Sequence, residues 1–196
     1  MSIEDAQETL TELGMNINSS GNISIRDKAV YWITGSGKNK QAVKLPGEEK
    51  RASSEWPMHK AIYDARPDIN AIVHCHSIFA TAVACCGLCI PEFHYQIAAA
   101  GRAIPCVRYL RFGSQELAEE VATNLKNSNA CLLSGHGQVA VAENLEKAIA
   151  LAIEVEWLAK VYCISRTLAG ACHSGVQLLS EEDLDDAVKR YGGYLK

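Results

Sequence analysis

Strand-like and helix-like segments alternate along this chain, and the alternation predicts an α/β fold, a mixed sheet covered by helices. Three observations carry that reading. Apolar runs such as Ala71-Ile72-Val73 and Ala130-Cys131-Leu132-Leu133 have strand length. Between them lie stretches whose apolar residues recur three and four apart, as on one face of a helix. Two alternating segments stand close enough for a hairpin. With 196 residues, 48% of them hydrophobic, the chain can bury one sizeable core, so a single domain over 1–196 is expected.

The elements follow in order. Ser2 with Asp5 three residues on is an approximate capping box, and Ile3, Ala6, Leu10 and Leu13 give the first helix one apolar stripe that Gly14 stops. Residues 19–22 are a turn; Ile23 and Ile25 alternate into Arg26, and 30–33 return as the second strand of the hairpin. A Gly-rich turn over 34–37 leads into a polar loop, 38–52, with a short strand near Val43. Ser53 or Ser54 caps the next helix, which reaches Ala65 with Met58, Ala61, Ile62 and Ala65 on its apolar face; Pro57 falls in the first turn, where a missing N–H is tolerated. A strand from Ile69 ends in His74 and His76, and a helix covers 77–86. A short strand at 103–107, a helix over 114–126 with Leu117, Val121 and Leu125 on one face, and strands at 130–133 and 139–141 follow. Asn144 caps the longest helix, to about Leu168; it is apolar nearly all round and is expected to be largely buried. Ser180, with Asp183 three residues on, caps the last helix.

Composition excludes several classes. A formal net charge of -4 without a Lys/Arg cluster argues against nucleic-acid binding. No apolar run reaches the ~18 residues that read as a membrane span, and Glu4, Asp5, Glu8 and Glu12 make the N-terminus unlike a signal peptide. The eight cysteines lie mostly in apolar segments and read as reduced, buried thiols of a cytoplasmic protein. Cys85-Cys86-x-x-Cys89 has no second CxxC to complete a zinc knot.

The chemistry centres on His74 and His76. Residues i and i+2 of a strand share a face, so both imidazoles can reach one metal ion; a plain surface pair is the other reading. His136, between Gly135 and Gly137 at another strand end, supplies a third imidazole and favours the metal. Ser53-Ser54-Glu55 reads either as an ordinary helix start or as an anion site with a carboxylate beside it for a metal or a proton. Gly21-Asn22 and Ser36-Gly37 are turn pairs or phosphate-cradling backbone, and no G-x-x-x-x-G-K-[ST] loop is present. His59 and His173 are expected to have no metal role.

Taken in order, G-N-I-S at 21–24, T-G-S-G at 34–37, S-S-E at 53–55, H-C-H at 74–76, the Tyr95 segment, G-H-G at 135–137 and a Glu-containing long helix resemble the class II aldolase/adducin-head family. The stretch 94–101, followed by Ile104-Pro105-Cys106, resembles its ketose 1-phosphate aldolases. The resemblance implies a three-layer α-β-α fold with a mainly antiparallel central sheet, assembled as a fourfold homotetramer. It implies one Zn2+ per chain on His74, His76 and His136, with Glu55 as fourth ligand at rest and as catalytic base when substrate binds. It implies a phosphate site from Gly21, Asn22, Ser36, Gly37, Ser53 and Ser54. Tyr95 would act as a catalytic acid/base from a neighbouring subunit, and Phe112 and Tyr191 would shape an aldehyde pocket.

The implied activity is zinc-dependent, reversible cleavage of a ketose 1-phosphate to dihydroxyacetone phosphate and an aldehyde. The alternatives are an epimerase, dehydratase or decarboxylase of sugar phosphates on the same metal site, and a non-catalytic head domain; the latter need not keep three histidines beside Glu55. Two departures stand out. Only 15 residues separate Gly37 from Ser53, fewer than the family usually carries, and Val188 stands where the aldolase has an aromatic residue.

Overall fold

The computed structural model describes residues 1–18, 20–37 and 41–194. Ser19 and residues 38–40, which belong to the predicted turn and loop, lie outside the described residues. The strands are β1 (Asn22–Asp27), β2 (Val30–Thr34), β3 (Ala42–Leu45), β4 (Ala71–Cys75), β5 (Cys106–Val107), β6 (Ala130–Leu133) and β7 (Gly137–Ala142). The helices are α1 (Ile3–Glu12), α2 (Trp56–Ala65), α3 (Ile78–Cys85), α4 (Gln115–Asn124), α5 (Leu145–Cys172) and α6 (Glu181–Tyr194).

The strands form one sheet in the order β3-β2-β1-β4-β7-β6-β5. Every pairing is antiparallel except β5 with β6. The period of two divides β4 between two cores. Ile72 faces α2 and α4, among Met58, Ile62, Leu117 and Val121. Ala71, Val73 and Cys75 face α1, α3 and α5, among Leu10, Val83, Ala152 and Val155. The result is the three-layer α-β-α arrangement with a mainly antiparallel sheet. His74 shares the Ile72 face, so its ring emerges on the side where α2 begins.

Local signals account for most helix ends. Ser2 and Asp5 form the capping box, and Ser114 and Asn144 accept the Leu117 and Lys147 amides. Ser180 accepts the Asp183 amide. Several expectations need correction. Leu13 is 54% exposed, because α1 ends at Glu12 and Leu13 follows as its C-cap. On α2 the buried face is Met58, His59, Ile62 and Tyr63, not one that runs to Ala65, which is exposed. Over 41–52 the short strand expected near Val43 is present as β3, but the rest is more ordered than a loop: Val43 and Leu45 pack beside Ile33, a 3-10 turn covers Glu49–Arg51, and Gly35 bridges Ala52. The long helix is buried only as far as Tyr162; Ile164 and Leu168 are exposed, as are Ile153 and Trp157 earlier on. Its 28 residues run about 42 Å, whereas the five residues of β4 span about 17 Å, so the helix outreaches the sheet. All eight cysteines are free, but only Cys75 and Cys131 are buried; Cys85, Cys86, Cys89 and Cys172 are exposed. Among the described residues no helix is long and apolar enough to cross a membrane.

Candidate metal centre and anion cleft

Three elements bring the imidazoles together. The antiparallel β4–β7 pairing places His74 opposite Val139, and the turn between β6 and β7 returns His136 to the same end of β4. The His136 amide donates to the Leu133 carbonyl at 3.0 Å, which closes that turn. Gly137 is required there: a Cβ on it would lie 2.5 Å from the Cys75 carbonyl oxygen and 2.9 Å from His76 Cδ2. His76 is held by its backbone amide, which donates to the Met15 carbonyl at 3.1 Å. Glu156 accepts the Phe79 and Ala80 amides and so anchors the start of α3, just past His76.

His74, His76 and His136 offer nitrogen atoms that all lie within 4.8 Å of one another. Glu55, 7% exposed, completes the group: Oε2 is 3.2 Å from His74 Nε2 and Oε1 is 3.6 Å from His136 Nε2. These residues fit a divalent cation on four counts. The Nε2 atoms of His74 and His76 are 3.1 Å apart, close to the ~3.3 Å between two nitrogen ligands each about 2.0–2.1 Å from a tetrahedral zinc. His74 Nδ1 is 2.8 Å from the Gln138 carbonyl, which can only accept, so Nδ1 carries the proton and Nε2 offers its lone pair. Glu55 Oε1 is buried and has no hydrogen-bond partner among the described residues. Nitrogen with carboxylate oxygen is the donor set that suits zinc and similar divalent metals.

Electrostatics favour an ionised carboxylate beside a positive charge, which the imidazolium form of His74 supplies here and a cation on the three rings would supply in its place. Burial pushes the Glu55 carboxyl up, but the charge and hydrogen bond of His74, then His136 and Asn22, outweigh it and hold it well below the usual carboxylate range. Burial, reinforced by His74 and partly opposed by Glu55, lowers His136 to about 4, so its ring is neutral near pH 7 and can ligate.

A cleft of about 360 Å³ opens over this group and is lined by Gly21, Asn22, Ser36, Gly37, Ser53, Ser54, Glu55, His76, Phe112 and His136 with two neighbours. The predicted phosphate residues therefore share one cleft with the histidines and Glu55. Ser36 and Ser53 direct their amides to the Arg51 and Thr34 carbonyls at 2.8 and 3.1 Å, so their hydroxyls are what they offer. Among the described residues no Lys or Arg lines the cleft. Neither serine caps α2: Glu55 occupies the N-cap position without a side-chain cap, because its carboxylate is turned toward the histidines, and Ser53 Oγ accepts the Glu55 amide at 3.3 Å.

Two predicted residues stand elsewhere within the chain. Tyr95 is 58% exposed and stacks on His94. Tyr191 lines a different and larger cavity, about 490 Å³, with Glu154, Lys147 and Arg66; that cavity holds none of the three clustered histidines. Burial raises the Tyr191 phenol, with Glu154 and Tyr95 adding to the shift. His173 ends α5 in a left-handed conformation, away from the centre. Sequence alone gives Tyr63 and Gln138 no role, His59 only the expectation of no metal role, and Ser24 only its place in the G-N-I-S motif. His59 was legible as four residues, one helical turn, beyond Glu55, and Ser24 as the same-face neighbour of Asn22.

Comparison with known proteins agrees with this geometry. The family model described as class II aldolase and adducin N-terminal domain matches residues 2–163. The L-fuculose phosphate aldolase of Escherichia coli (strain K12) is 39% identical, covering 94% of this chain and 90% of its own length. A 5-methylthioribulose-1-phosphate/5-deoxyribulose-1-phosphate aldolase of Escherichia coli O45:K1 is 37% identical, with coverage of 92% and 89%. A solved L-fuculose 1-phosphate aldolase superposes with a TM-score of 0.87 at 32% identity, covering 98% of each chain. This chain belongs to the class II aldolase and adducin N-terminal domain family and stands among its aldolases, which are lyases of carbohydrate metabolism.

Proposed function

We propose that the protein is a zinc-dependent aldolase that reversibly cleaves a ketose 1-phosphate, of the L-fuculose 1-phosphate type, into dihydroxyacetone phosphate and an aldehyde. The observation that carries this reading is the convergence of His74, His76, His136 and Glu55 at one hydroxyl-lined cleft. One Zn2+ held there would supply a Lewis acid that polarises a carbonyl and stabilises negative charge on its oxygen. Gly21, Ser36, Gly37, Ser53 and Ser54 would bind the phosphate with neutral donors. Its binding energy then positions the reacting carbons rather than reacting itself. Glu55 moves the proton on the unphosphorylated hydroxymethyl carbon of dihydroxyacetone phosphate, C3 of the ketose, through Oε1, the carboxylate oxygen with no hydrogen-bond partner among the described residues. Asn22 serves Glu55 more than the phosphate, since its amide nitrogen donates to Oε2 at 2.8 Å. Phe112 lines the open side of the cleft and meets the aldehyde.

Tyr95, the acid for the aldehyde oxygen, and Tyr191 would come from the next subunit of a cyclic homotetramer. Neither lines its own chain's cleft, which supports this, as do the exposed Ile153, Trp157, Ile164 and Leu168 of α5, an apolar surface that a lone chain leaves open. The whole chain would act as a single domain in the cytoplasm. The 37% identical relative favours one neighbouring reading, the same cleavage with a different aldehyde. A cleavage assay over a panel of ketose 1-phosphates, with metal content measured alongside, tests the proposal. Aldol cleavage that follows zinc content is expected, and zinc-loaded protein that cleaves none of the panel would overturn it.

A further inference from the structure

Behind Glu55 lies a buried set of polar side chains that binding of metal and phosphate does not use. Asn22, Ser24, His59 and Tyr63 are each no more than 3% exposed. Their contacts form a single file. Tyr63 OH is 2.8 Å from Ser24 Oγ, Ser24 Oγ is 2.7 Å from His59 Nδ1, His59 Nε2 is 2.5 Å from Asn22 Oδ1, and Asn22 Nδ2 is 2.8 Å from Glu55 Oε2.

The carboxylate sets the direction of every bond in the file. An ionised carboxylate only accepts, so the Asn22 atom facing it is the NH₂ and the other is the carbonyl. That carbonyl accepts from His59, so Nε2 carries the ring proton and Nδ1 of the neutral ring accepts. Ser24 has one proton and gives it to Nδ1. Tyr63 must therefore donate to Ser24. All four donors point toward Glu55, and reversing any one leaves two donors or two acceptors face to face in a buried site.

We propose that Tyr63, Ser24 and His59 are positioning residues: a one-way hydrogen-bond chain locks the Asn22 amide, which pins Glu55 Oε2 and leaves Oε1 as the oxygen presented to the reacting carbon. Without the chain the Asn22 amide can turn its carbonyl toward the carboxylate and release it. The catalytic consequence rests on the aldolase reading above; the tautomer and the bond order do not.

The test has two arms. In wild-type protein labelled with ¹⁵N-histidine, His59, assigned by its loss in His59→Gln, should be the Nε2–H tautomer with an accepting Nδ1. An Nδ1–H tautomer overturns the proposal, whether or not the protein proves to be an aldolase. In the kinetic arm, His59→Leu should lower kcat about tenfold, as for one lost hydrogen bond of ~1–1.5 kcal/mol, with KM and metal content unchanged. His59→Gln, which can still donate to Asn22 and accept from Ser24, should recover most of the loss, and Tyr63→Phe should lie between. Gln behaving like Leu, or KM rising and metal content falling as kcat falls, would mean plain structural packing and overturn the positioning role. If His59→Leu does not fold, Tyr63→Phe decides the kinetic arm: wild-type kcat there counts against the chain.

Discussion

Gly137→Ala is the substitution that most directly probes how closely the metal centre is built. The new Cβ would stand 2.5 Å from the Cys75 carbonyl oxygen and 2.9 Å from His76 Cδ2. The Cys75 backbone is fixed by its pairing with Gln138 in the centre of the sheet, so the ring of His76 is the softer neighbour and should yield. Overpacking of this kind costs about 1–3 kcal/mol. If most of it falls on the position of His76, zinc affinity should drop roughly 5- to 150-fold, since each ~1.4 kcal/mol is tenfold. Chelator competition measures the affinity, and denaturant unfolding of the metal-free protein measures whatever cost remains in the sheet. Gly170→Ala is the control: it lies in α5, nothing beyond its own stretch of helix stands within 4 Å of its Cβ position among the described residues, and alanine there should stabilise by about 0.5–1 kcal/mol without touching the metal. Wild-type zinc affinity together with wild-type stability in Gly137→Ala would refute the reasoning.

Glu55→Gln should keep the fold and most of the metal but lower turnover about 10²- to 10⁴-fold, because Gln is nearly isosteric and cannot take a proton; steady-state cleavage with metal analysis checks this, and wild-type turnover would reduce Glu55 to a helix-start residue. Acid should destabilise the metal-free protein through His59, which burial and His74 lower to about 3 while Glu55 partly opposes and Asn22 and Ser24 occupy its two nitrogens. The folded pKa lies below the unfolded ~6.5, so this stability is complete above pH 6.5 and is lost as pH falls toward 3, by about 1.4 kcal/mol per pH unit. Unfolding curves of wild type and His59→Gln in chelator should diverge below pH 6; parallel curves would contradict the assignment. Tyr95→Phe and His74→Ala, each inactive alone, should partly restore activity when unfolded separately and refolded together, and verified mixed tetramers without activity would place Tyr95 outside the neighbouring site.

What was legible in the sequence was mostly local. Ser2, Ser114 and Asn144 cap their helices with their own side chains, a bond made within three residues, and each helix starts where its cap says. Leu117, Val121 and Leu125 are buried on one face for the same reason, the helical period. The H-x-H spacing brings the ring of His76, just past the end of β4, beside that of His74, but it took the return of His136 through the β6–β7 turn to gather three imidazoles, and G-H-G marks that close approach because Gly137 has no room for a Cβ. What failed were local readings overridden by distant partners. Ser53 and Ser54 read as caps, yet Glu55 takes the N-cap position because histidines from two other elements draw its carboxylate. The apolar circumference of α5 signals that something must cover it, but periodicity does not say whether the cover comes from the same chain; here Ile164 and Leu168 stay open. His59 looked like an ordinary helix residue, and only its contacts with Asn22 and Ser24, which are remote in sequence, show its place.

The central claim is that Glu55 and a metal on the three histidines activate a carbon–hydrogen bond beside a carbonyl. Dihydroxyacetone phosphate in deuterium oxide tests it most directly, because this half-reaction needs no knowledge of the aldehyde. Proton NMR should show zinc-loaded protein exchanging one of the two protons on the unphosphorylated hydroxymethyl carbon, with exchange lost on chelation and restored by added zinc. No exchange by the zinc-loaded protein, or equal exchange after the metal is stripped, would contradict the account.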